Sequence, residues 1–175
     1  ADEDLAVLKR LAQAGKNVIL VLNTCGTIDM REIDTDNVKA VFATFLPGMA
    51  GAKALSDMIA GEVNPSGKLT ITFPERIEDM PTYMNFPGDG YHVSYGDGIY
   101  VGYRYYDKKK LRPRYPFGYG MSYTTFDCKL VDAAVDGDTI KVHTTVENTG
   151  KVAGSEVIQI YIHDPYSTLA KPAKE

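Results

Sequence analysis

The feature that most constrains the fold is a run from residue 75 to residue 122 in which no regular pattern persists. It is rich in glycine and proline and holds most of the chain's twelve tyrosines. A segment this long without regular structure is uncommon in a compact domain and is usually functional or packed against something. Because it combines aromatic residues with glycine, we expect an ordered loop lying on a neighbouring surface. The run separates two regions with different patterns of apolar and polar residues, 1–74 and 123–175.

The first region alternates helix-like and strand-like patterns, which is typical of an α/β fold. A helix ending near Gly15 precedes the apolar run Val18–Leu22, which predicts a strand buried on both faces of a parallel sheet. A second strand is predicted over Val38–Phe45, and a second helix ends at Gly61. Two such strands are too few for a stable parallel sheet, so this part is a partial α/β sandwich that needs partners from elsewhere.

The helix that ends at Gly61 is followed by the turn sequence Asn64-Pro65-Ser66-Gly67. We expect this turn to return the chain into a further strand at Leu69–Thr72.

The last region has a β pattern. Strands are predicted over Phe126–Ala133, Ile140–Val146 and Val157–Ile162, the second of them half-buried because apolar and polar residues alternate. Three antiparallel strands are the opening of an all-β, immunoglobulin-like sandwich, which needs about seven strands. The sequence therefore predicts an incomplete sandwich over residues 123–175.

Composition narrows the class of partner. Acidic residues outnumber basic ones by 23 to 19, and a duplex nucleic-acid binder would usually carry a basic face, so no nucleic-acid partner is expected. No apolar stretch approaches the roughly 20 residues of a membrane helix and no signal peptide is visible, so we expect a soluble protein without a membrane partner, in a compartment the sequence leaves open. The two cysteines match no zinc spacing, and Cys25 is expected to be a small buried side chain. No cofactor and no metal site are predicted.

Four consecutive segments resemble glycoside hydrolase family 3, the β-glucosidase family. Residues 47–69 resemble its PG-x-x-G…NPSGKL signature, and residues 98–107, GIYVGYRYYD, resemble its EGIxVGYRYYD segment. Residues 115–126, YPFGYGMSYTTF, resemble its FPFGHGLSYTTF segment, and residues 148–161 resemble the start of its fibronectin-III-like domain. The motifs occur in the family's order and span nearly the whole chain.

The resemblance implies a retaining, exo-acting glycosidase that uses a nucleophile and a general acid/base. In the family, the nucleophilic aspartate lies in an N-terminal TIM barrel in a motif ending in Ser-Asp-Trp, and this chain has no tryptophan. The acid/base glutamate belongs to a loop that would precede residue 1. The resemblance therefore implies no catalytic residue here, a chain inactive by itself, and a carbohydrate substrate and barrel domain as partners.

Three carboxylates are weighed as site residues. Asp97 stands where the family often has Glu, in a loop that can approach an active site, although Asp-Gly is also an ordinary turn. It is the one substrate-proximal candidate. Asp29 and Glu32 follow the first strand, at the end where α/β sites gather, and would be acid/base candidates without the resemblance.

The aromatic loop leaves two functions open. Tyr103, Tyr105 and Tyr106 are expected to pack between domains, with sugar stacking as the alternative. Arg104 is expected to anchor a carboxylate or backbone carbonyls. A non-enzymatic carbohydrate-binding or adhesion module is the alternative to a glycosidase. A nucleotide-binding domain is disfavoured because only a single glycine, Gly26, follows the first strand closely.

Overall fold

The computed structural model of the chain describes residues 2–33 and 36–175, and begins with helix α1, Asp2–Gln13. Its first turn is acidic, which suits the positive end of the helix dipole, and Leu8 is its buried residue. The helix ends before Gly15, whose φ of +64° confirms the predicted glycine stop.

A parallel pair of strands follows α1. Strand β1, Val18–Leu22, pairs with strand β2, Val38–Ala43, in a register that sets Leu22 opposite Ala43. The parallel pairing is confirmed, but β2 stops two residues early because Phe45 adopts a left-handed φ of +50°. The predicted burial on both faces is wrong for this chain, since Ile19 is 52% exposed.

A small core lies beneath β1. Leu22, Met30 and Phe73 are buried together, and Phe73 pairs its backbone with Tyr115 in an isolated antiparallel bridge. The predicted strand over Leu69–Thr72 is wrong, because only this bridge forms. A run of β-prone residues becomes a strand only when a partner supplies its ladder of hydrogen bonds.

Two further α-helices follow along the chain. Helix α2, Gly51–Ala60, is followed by Gly61 with a φ of +80°, as predicted. Gly51 has no room for a side chain, since a Cβ there would lie 2.4 Å from Pro47 Cβ. Within the loop of residues 75–122, a 3₁₀ turn forms at Ile77–Asp79 and helix α3 spans Tyr103–Lys109. The expectation that this loop has no regular structure is therefore wrong at these two places.

The β region forms a two-stranded hairpin. Strand β3, Phe126–Asp136, pairs antiparallel with strand β4, Thr139–Asn148, around a turn at Gly137 with a φ of +60°. The predicted half-burial of the second strand is wrong, because β4 is exposed over almost its whole length. The third predicted strand, at 157–162, is not formed in the described chain. Cys25 is exposed, so its predicted burial is also wrong.

The chain forms two compact units. The first contains Ala1–Gly51, Leu69–Gly118 and Tyr161–Glu175, and the second contains Ala52–Lys68 and Tyr119–Ile160. Each unit therefore combines segments that are distant in sequence.

Asn64 is a hydrogen-bonding hub of the second unit. Its Nδ2 donates to the backbone carbonyl of Ala153 at 3.0 Å, and its Oδ1 accepts from Ser122 Oγ at 2.9 Å and from the Tyr123 backbone N–H at 2.8 Å. The side chain thus joins the turn after α2 to two segments more than fifty residues further along the chain. Asn64 is therefore more than the turn residue that the sequence predicted.

Lys68 extends this hub. Its Nζ donates to the Gly120 carbonyl at 2.7 Å and lies 2.8 Å from Glu156 Oε1, with side chains that are only 13% and 16% exposed. Hydrogen bonding by Lys68 holds the pKa of the Glu156 carboxyl below its usual value. Residues 64–68 with these partners are called the Asn64–Lys68 clasp below.

Candidate functional site: the tyrosine-rich loop

The sequence-predicted site residue Asp97 lies in a tight turn of the first unit. Its carbonyl accepts a hydrogen bond from the Tyr100 backbone N–H at 2.9 Å, and Gly98 adopts the left-handed φ of +54° that this turn requires. Gly96 allows a close approach, because a Cβ there would lie 2.3 Å from Asn85 Nδ2. The side chain of Asp97 is half-buried. Residues 96–100 are called the Asp97 turn below.

Helix α3 begins three residues after this turn. Gly102 precedes it with a φ of +59°, and Lys110 ends it in the left-handed region with a φ of +55°. Lys108 lies in the last turn, where a cation is favoured by the helix dipole, and its Nζ is 5.6 Å from the ring centroid of Tyr100. The helix therefore contacts the Asp97 turn through a cation–π pair as well as through the chain.

The tyrosines of α3 pack inside the first unit. The ring of Tyr103 lies 5.2 Å from Phe117 and 5.5 Å from Tyr161, the second contact being edge-on. Tyr106 is 5% exposed, and burial, with smaller contributions from Asp79 and Tyr105, raises the pKa of its phenol to about 12. These contacts occupy aromatic faces that sugar stacking would need.

Arg104 lies beside a carboxylate, as the sequence predicted. Its Nε is 3.1 Å from Glu175 Oε1, and its guanidinium carbon is 5.3 Å from the centroid of the Tyr103 ring. Lys174 forms a matching pair, with Nζ 3.5 Å from Asp107 Oδ2 and 4.8 Å from the centroid of the Tyr161 ring.

A backbone pair fixes the partner segment of α3. The Ile162 N–H donates to the Glu175 carbonyl at 2.6 Å, and the Glu175 N–H donates back to the Ile162 carbonyl at 3.0 Å. These partners of α3 were not predicted, because Tyr161, Lys174 and Glu175 lie far from the helix along the chain. The nearest signal was the pairing expected of Arg104 itself.

The other two carboxylates are engaged by separate cations. Asp29 accepts hydrogen bonds from the Arg31 side chain and backbone N–H, and these bonds hold the pKa of its carboxyl below its usual value. Glu32 Oε2 lies 3.2 Å from Lys9 Nζ. A general acid near neutral pH needs a raised pKa, so Asp29 is suited to an ion pair and not to proton donation.

Residues 83–95 present large apolar side chains to solvent. The exposed members of this surface are Tyr83, Met84, Phe86, Tyr91, Val93 and Tyr95. The segment is nevertheless ordered by a turn, because Asp89 Oδ1 accepts from the backbone N–H groups of Tyr91 at 2.9 Å and His92 at 2.7 Å. These bonds lower the pKa of the Asp89 carboxyl. This segment is called the exposed aromatic loop below.

One open groove accompanies the loop. It measures about 470 Å³ and is lined by Glu75, Arg112, Pro113, Arg114 and Tyr115. Arg114 Nη1 lies 3.7 Å from Glu75 Oε1, so the carboxylate of Glu75 partly offsets the positive charge of the two arginines that line the groove. In residues 2–33 and 36–175, no cluster of three His, Cys, Asp or Glu side chains is arranged to hold a metal ion, and no helix is long and apolar enough to cross a bilayer.

Comparison with known proteins assigns the family. The profile of the Glycosyl hydrolase family 3 C-terminal domain matches residues 1–123. The chain is 41% identical over 173 residues to thermostable beta-glucosidase B of Acetivibrio thermocellus, covering 97% of this chain and 23% of the relative. It is 40% identical over 174 residues to an exo-alpha-(1->6)-L-arabinopyranosidase of Bifidobacterium longum, covering 99% of this chain and 23% of that protein.

Solved structures agree with the sequence relatives. The family 3 beta-glucosidase of Bifidobacterium adolescentis matches with a TM-score of 0.91 and 39% identity, over 100% of this chain and 26% of that one. Beta-glucosidase 3B of Thermotoga neapolitana, solved in complex with glucose, matches with a TM-score of 0.86 and 38% identity, over 99% of this chain and 25% of that one. The chain thus has the fold of a C-terminal portion of a larger glycosidase, and it belongs to glycoside hydrolase family 3. It spans about a quarter of the length of the relatives it matches.

Proposed function

We propose that this chain is the C-terminal portion of a retaining, exo-acting, β-glucosidase-like enzyme that hydrolyses terminal O-glycosidic bonds. The relatives named β-glucosidases support this activity through 41% and 40% identity along almost the whole chain. The substrate is a carbohydrate, and the partners are the remaining domains of the parent, a TIM barrel among them. A relative named for arabinopyranosides is equally similar, so this portion is common to enzymes named for different sugars.

The nucleophile and the acid/base are proposed to lie outside this chain. The observation that carries this is coverage, because the chain matches a C-terminal domain profile over residues 1–123 and spans 23% of the Acetivibrio thermocellus relative. In the described part of the chain, the carboxyls with a perturbed pKa are Asp29, Asp89, Glu156 and Asp164, and all four are shifted downward. A retaining glycosidase needs one carboxyl whose pKa is raised, so that it can donate a proton to the glycosidic oxygen as the bond breaks. The segment therefore supports an active site that other residues complete.

Three domains are proposed for the chain. Residues 1–74 are the end of an α/β sandwich domain, residues 75–122 a bridging loop, and residues 123–175 the beginning of a fibronectin-III-like domain. The parallel pair β1–β2 and the antiparallel hairpin β3–β4 support the change of sheet type between the first and the third.

The chimera that tests this function joins the part of the Acetivibrio thermocellus relative that precedes the match to this 175-residue chain. We expect turnover of an aryl β-glucoside by the chimera and none by the 175-residue chain alone. The same relative truncated before the match is the negative control. Turnover by the chain alone contradicts the placement of the catalytic residues, and a folded but inactive chimera contradicts the supporting role.

Asp97 is proposed to lie near the substrate in that chimera. The backbone of its turn is ordered by Gly98 and by the bond to Tyr100, and a carboxylate carried on it is suited to accept a hydrogen bond from a sugar hydroxyl. We expect Asp97→Asn to raise KM roughly tenfold, the size of one hydrogen bond to a charged group. Asp138→Asn, an exposed aspartate in the β3–β4 turn, is the matched control and should leave KM unchanged.

The carbohydrate-binding alternative is favoured by one observation, the exposed tyrosines of the exposed aromatic loop. Tyr91 and Tyr95 are 94% and 86% exposed, so their faces are open for sugar stacking. Retardation of the 175-residue chain in gels containing a β-glucan, lost in Tyr91→Ala, would favour this alternative. Equal migration with and without the glucan would exclude it for that polysaccharide.

A further inference from the structure

The Asp97 turn is held on one side by helix α3, and α3 is held by a segment about seventy residues further along the chain. Two residues of α3 one turn apart, Arg104 and Asp107, carry opposite charges and share a helix face. Their partners Glu175 and Lys174 are adjacent in sequence and carry the complementary charges. The two pairs run in opposite chain order, 104 with 175 and 107 with 174. Only one alignment of residues 174–175 along α3 therefore satisfies both pairs.

The same contact is reinforced by aromatic groups. Lys174 Nζ lies 4.8 Å from the ring centroid of Tyr161, whose edge contacts Tyr103 at 5.5 Å between centroids. The backbone pair of Ile162 with Glu175 holds both ends of this segment together. Each ion pair is partly exposed, with side chains 33% to 62% accessible, so neither contributes much to stability by itself. Their combined effect is geometric, because together they tie α3 to residues 174–175 at two positions one helical turn apart.

We propose that Lys174 and Arg104 are positioning residues that set the conformation of the Asp97 turn through α3. This rests on the proposed function only for its consequence at the substrate, since the positioning of the turn is a property of this chain. The path runs from Lys174 to Asp107, along α3, and through the Lys108–Tyr100 pair to the hydrogen bond between Tyr100 and Asp97.

Amide hydrogen exchange in the 175-residue chain tests the positioning directly. Lys174→Met keeps the side-chain stem but removes the charge. We expect exchange of the Tyr100 amide to accelerate roughly two- to fivefold, the size of one partly exposed ion pair. The Gly118 amide, bonded to the Leu69 carbonyl at 2.7 Å, should not change. Lys109→Met, which removes an exposed charge from the same helix, is the matched control and should affect neither amide.

A charge exchange tests whether the pairing itself is responsible. Asp107→Lys and Lys174→Glu should each accelerate exchange at Tyr100, and the double variant should restore the original rate. An unchanged Tyr100 rate in Lys174→Met overturns the proposal. So does equal acceleration at Tyr100 and Gly118, which would indicate a general loss of stability.

Kinetics of the chimera separate this proposal from the proposed function. If Lys174→Met accelerates exchange of the Tyr100 amide and also raises KM for the aryl β-glucoside, the positioning and the placement of Asp97 near the substrate are both supported. Arg104→Lys should then retain more activity than Arg104→Ala. If Tyr100 loosens and KM does not change, the positioning stands and the placement of Asp97 near the substrate is wrong. If Tyr100 does not loosen, the positioning is wrong whatever the activity.

Discussion

The Asn64–Lys68 clasp and the exposed aromatic loop share turn-forming residues but differ in how their side chains are bonded. Both contain asparagine, proline and glycine in the proportions of a turn. In the clasp, Asn64 and Lys68 contact five other residues through hydrogen bonds and an ion pair, and the Lys68–Glu156 pair is nearly buried. In the loop, the hydrogen bonds that Asp89 accepts come from residues within three positions of it, and Tyr91 is almost fully exposed.

This difference shows when a turn-rich segment contributes to the stability of its unit. Turn residues fix the local path of the backbone in both segments. Only in the clasp do side chains satisfy polar groups of segments distant along the chain, so only there does the turn couple to the rest of its unit. Stability should therefore respond strongly to changes in the clasp and weakly to changes in the loop.

The largest effect is expected from Asn64→Ala. It removes three hydrogen bonds and leaves the Ala153 carbonyl and the Tyr123 N–H without their side-chain partner. The free energy of unfolding should fall by about 3 kcal/mol, measured by urea denaturation of the 175-residue chain. Asn17→Ala, at an exposed position before β1, should change it by less than about 0.5 kcal/mol. Equal losses in the two variants would mean that the hydrogen bonds of Asn64 do not stabilise the chain.

Gly150→Ala should have the next largest effect. A Cβ at this position would lie 2.1 Å from Thr124 Oγ1 and 3.0 Å from the Thr125 nitrogen, so the Thr124 bond to Asn148 must be displaced. We expect a loss of about 2 kcal/mol in the free energy of unfolding. Gly26→Ala is the matched control, because it lies outside the clasp and a Cβ there meets nothing within 4 Å. A neutral Gly150→Ala would show that this part of the second unit is loosely packed.

The ion pair between Lys68 and Glu156 should make the stability of the clasp depend on pH, and Glu156→Gln tests this. Lys68 lowers the pKa of Glu156 from its usual 4.5, so the folded state binds fewer protons than the unfolded state. The contribution is fully present above the usual value and is lost as pH falls through the lowered one. The variant should lose about 1 to 2 kcal/mol at pH 7 and progressively less below about pH 4.

Urea titrations of wild type and Glu156→Gln between pH 7 and pH 3 measure this difference. Asp136→Asn is the control, because its pair with Lys141 is exposed on both sides and should contribute almost nothing. If the difference in free energy of unfolding between wild type and Glu156→Gln stays constant down to pH 3, the ion pair is not its source.

The smallest effect is expected in the exposed aromatic loop. Tyr91→Ala and Tyr95→Ala remove side chains that are 94% and 86% exposed, so each should change the free energy of unfolding by less than about 0.5 kcal/mol. A loss above about 1 kcal/mol in either variant would mean that these rings pack against the chain in solution.

Local structure was largely predictable. Helix α1 with its stop at Gly15, helix α2 with its stop at Gly61, and the parallel pair β1–β2 follow from periodicity and turn residues. Strand Leu69–Thr72, the third strand at 157–162 and the burial of β4 were wrong for the same physical reason. Alternating apolar residues show that a segment can pair and be covered, but the partner that covers it is not encoded locally.

The candidate site was predictable only in part. The family was readable from motifs spread over nearly the whole chain, and the pairing of Arg104 with a carboxylate was expected from its chemistry. Helix α3 was missed because Gly102 and the tyrosines that follow it are poor helix formers on their own. Its charge partners at residues 174–175 were invisible because no rule of spacing connects them to it.

The exposed aromatic loop and the clasp mark this boundary most clearly. The family, helices α1 and α2, the pair β1–β2 and the glycine turns after the two helices could be predicted from the sequence, because they depend on neighbouring residues and on local sterics. Only the tertiary structure decided which turn holds its unit together. That depends on whether a carboxylate, a carbonyl or an N–H from a distant segment lies within about 3 Å of the side chain, and only the folded chain brings such atoms together.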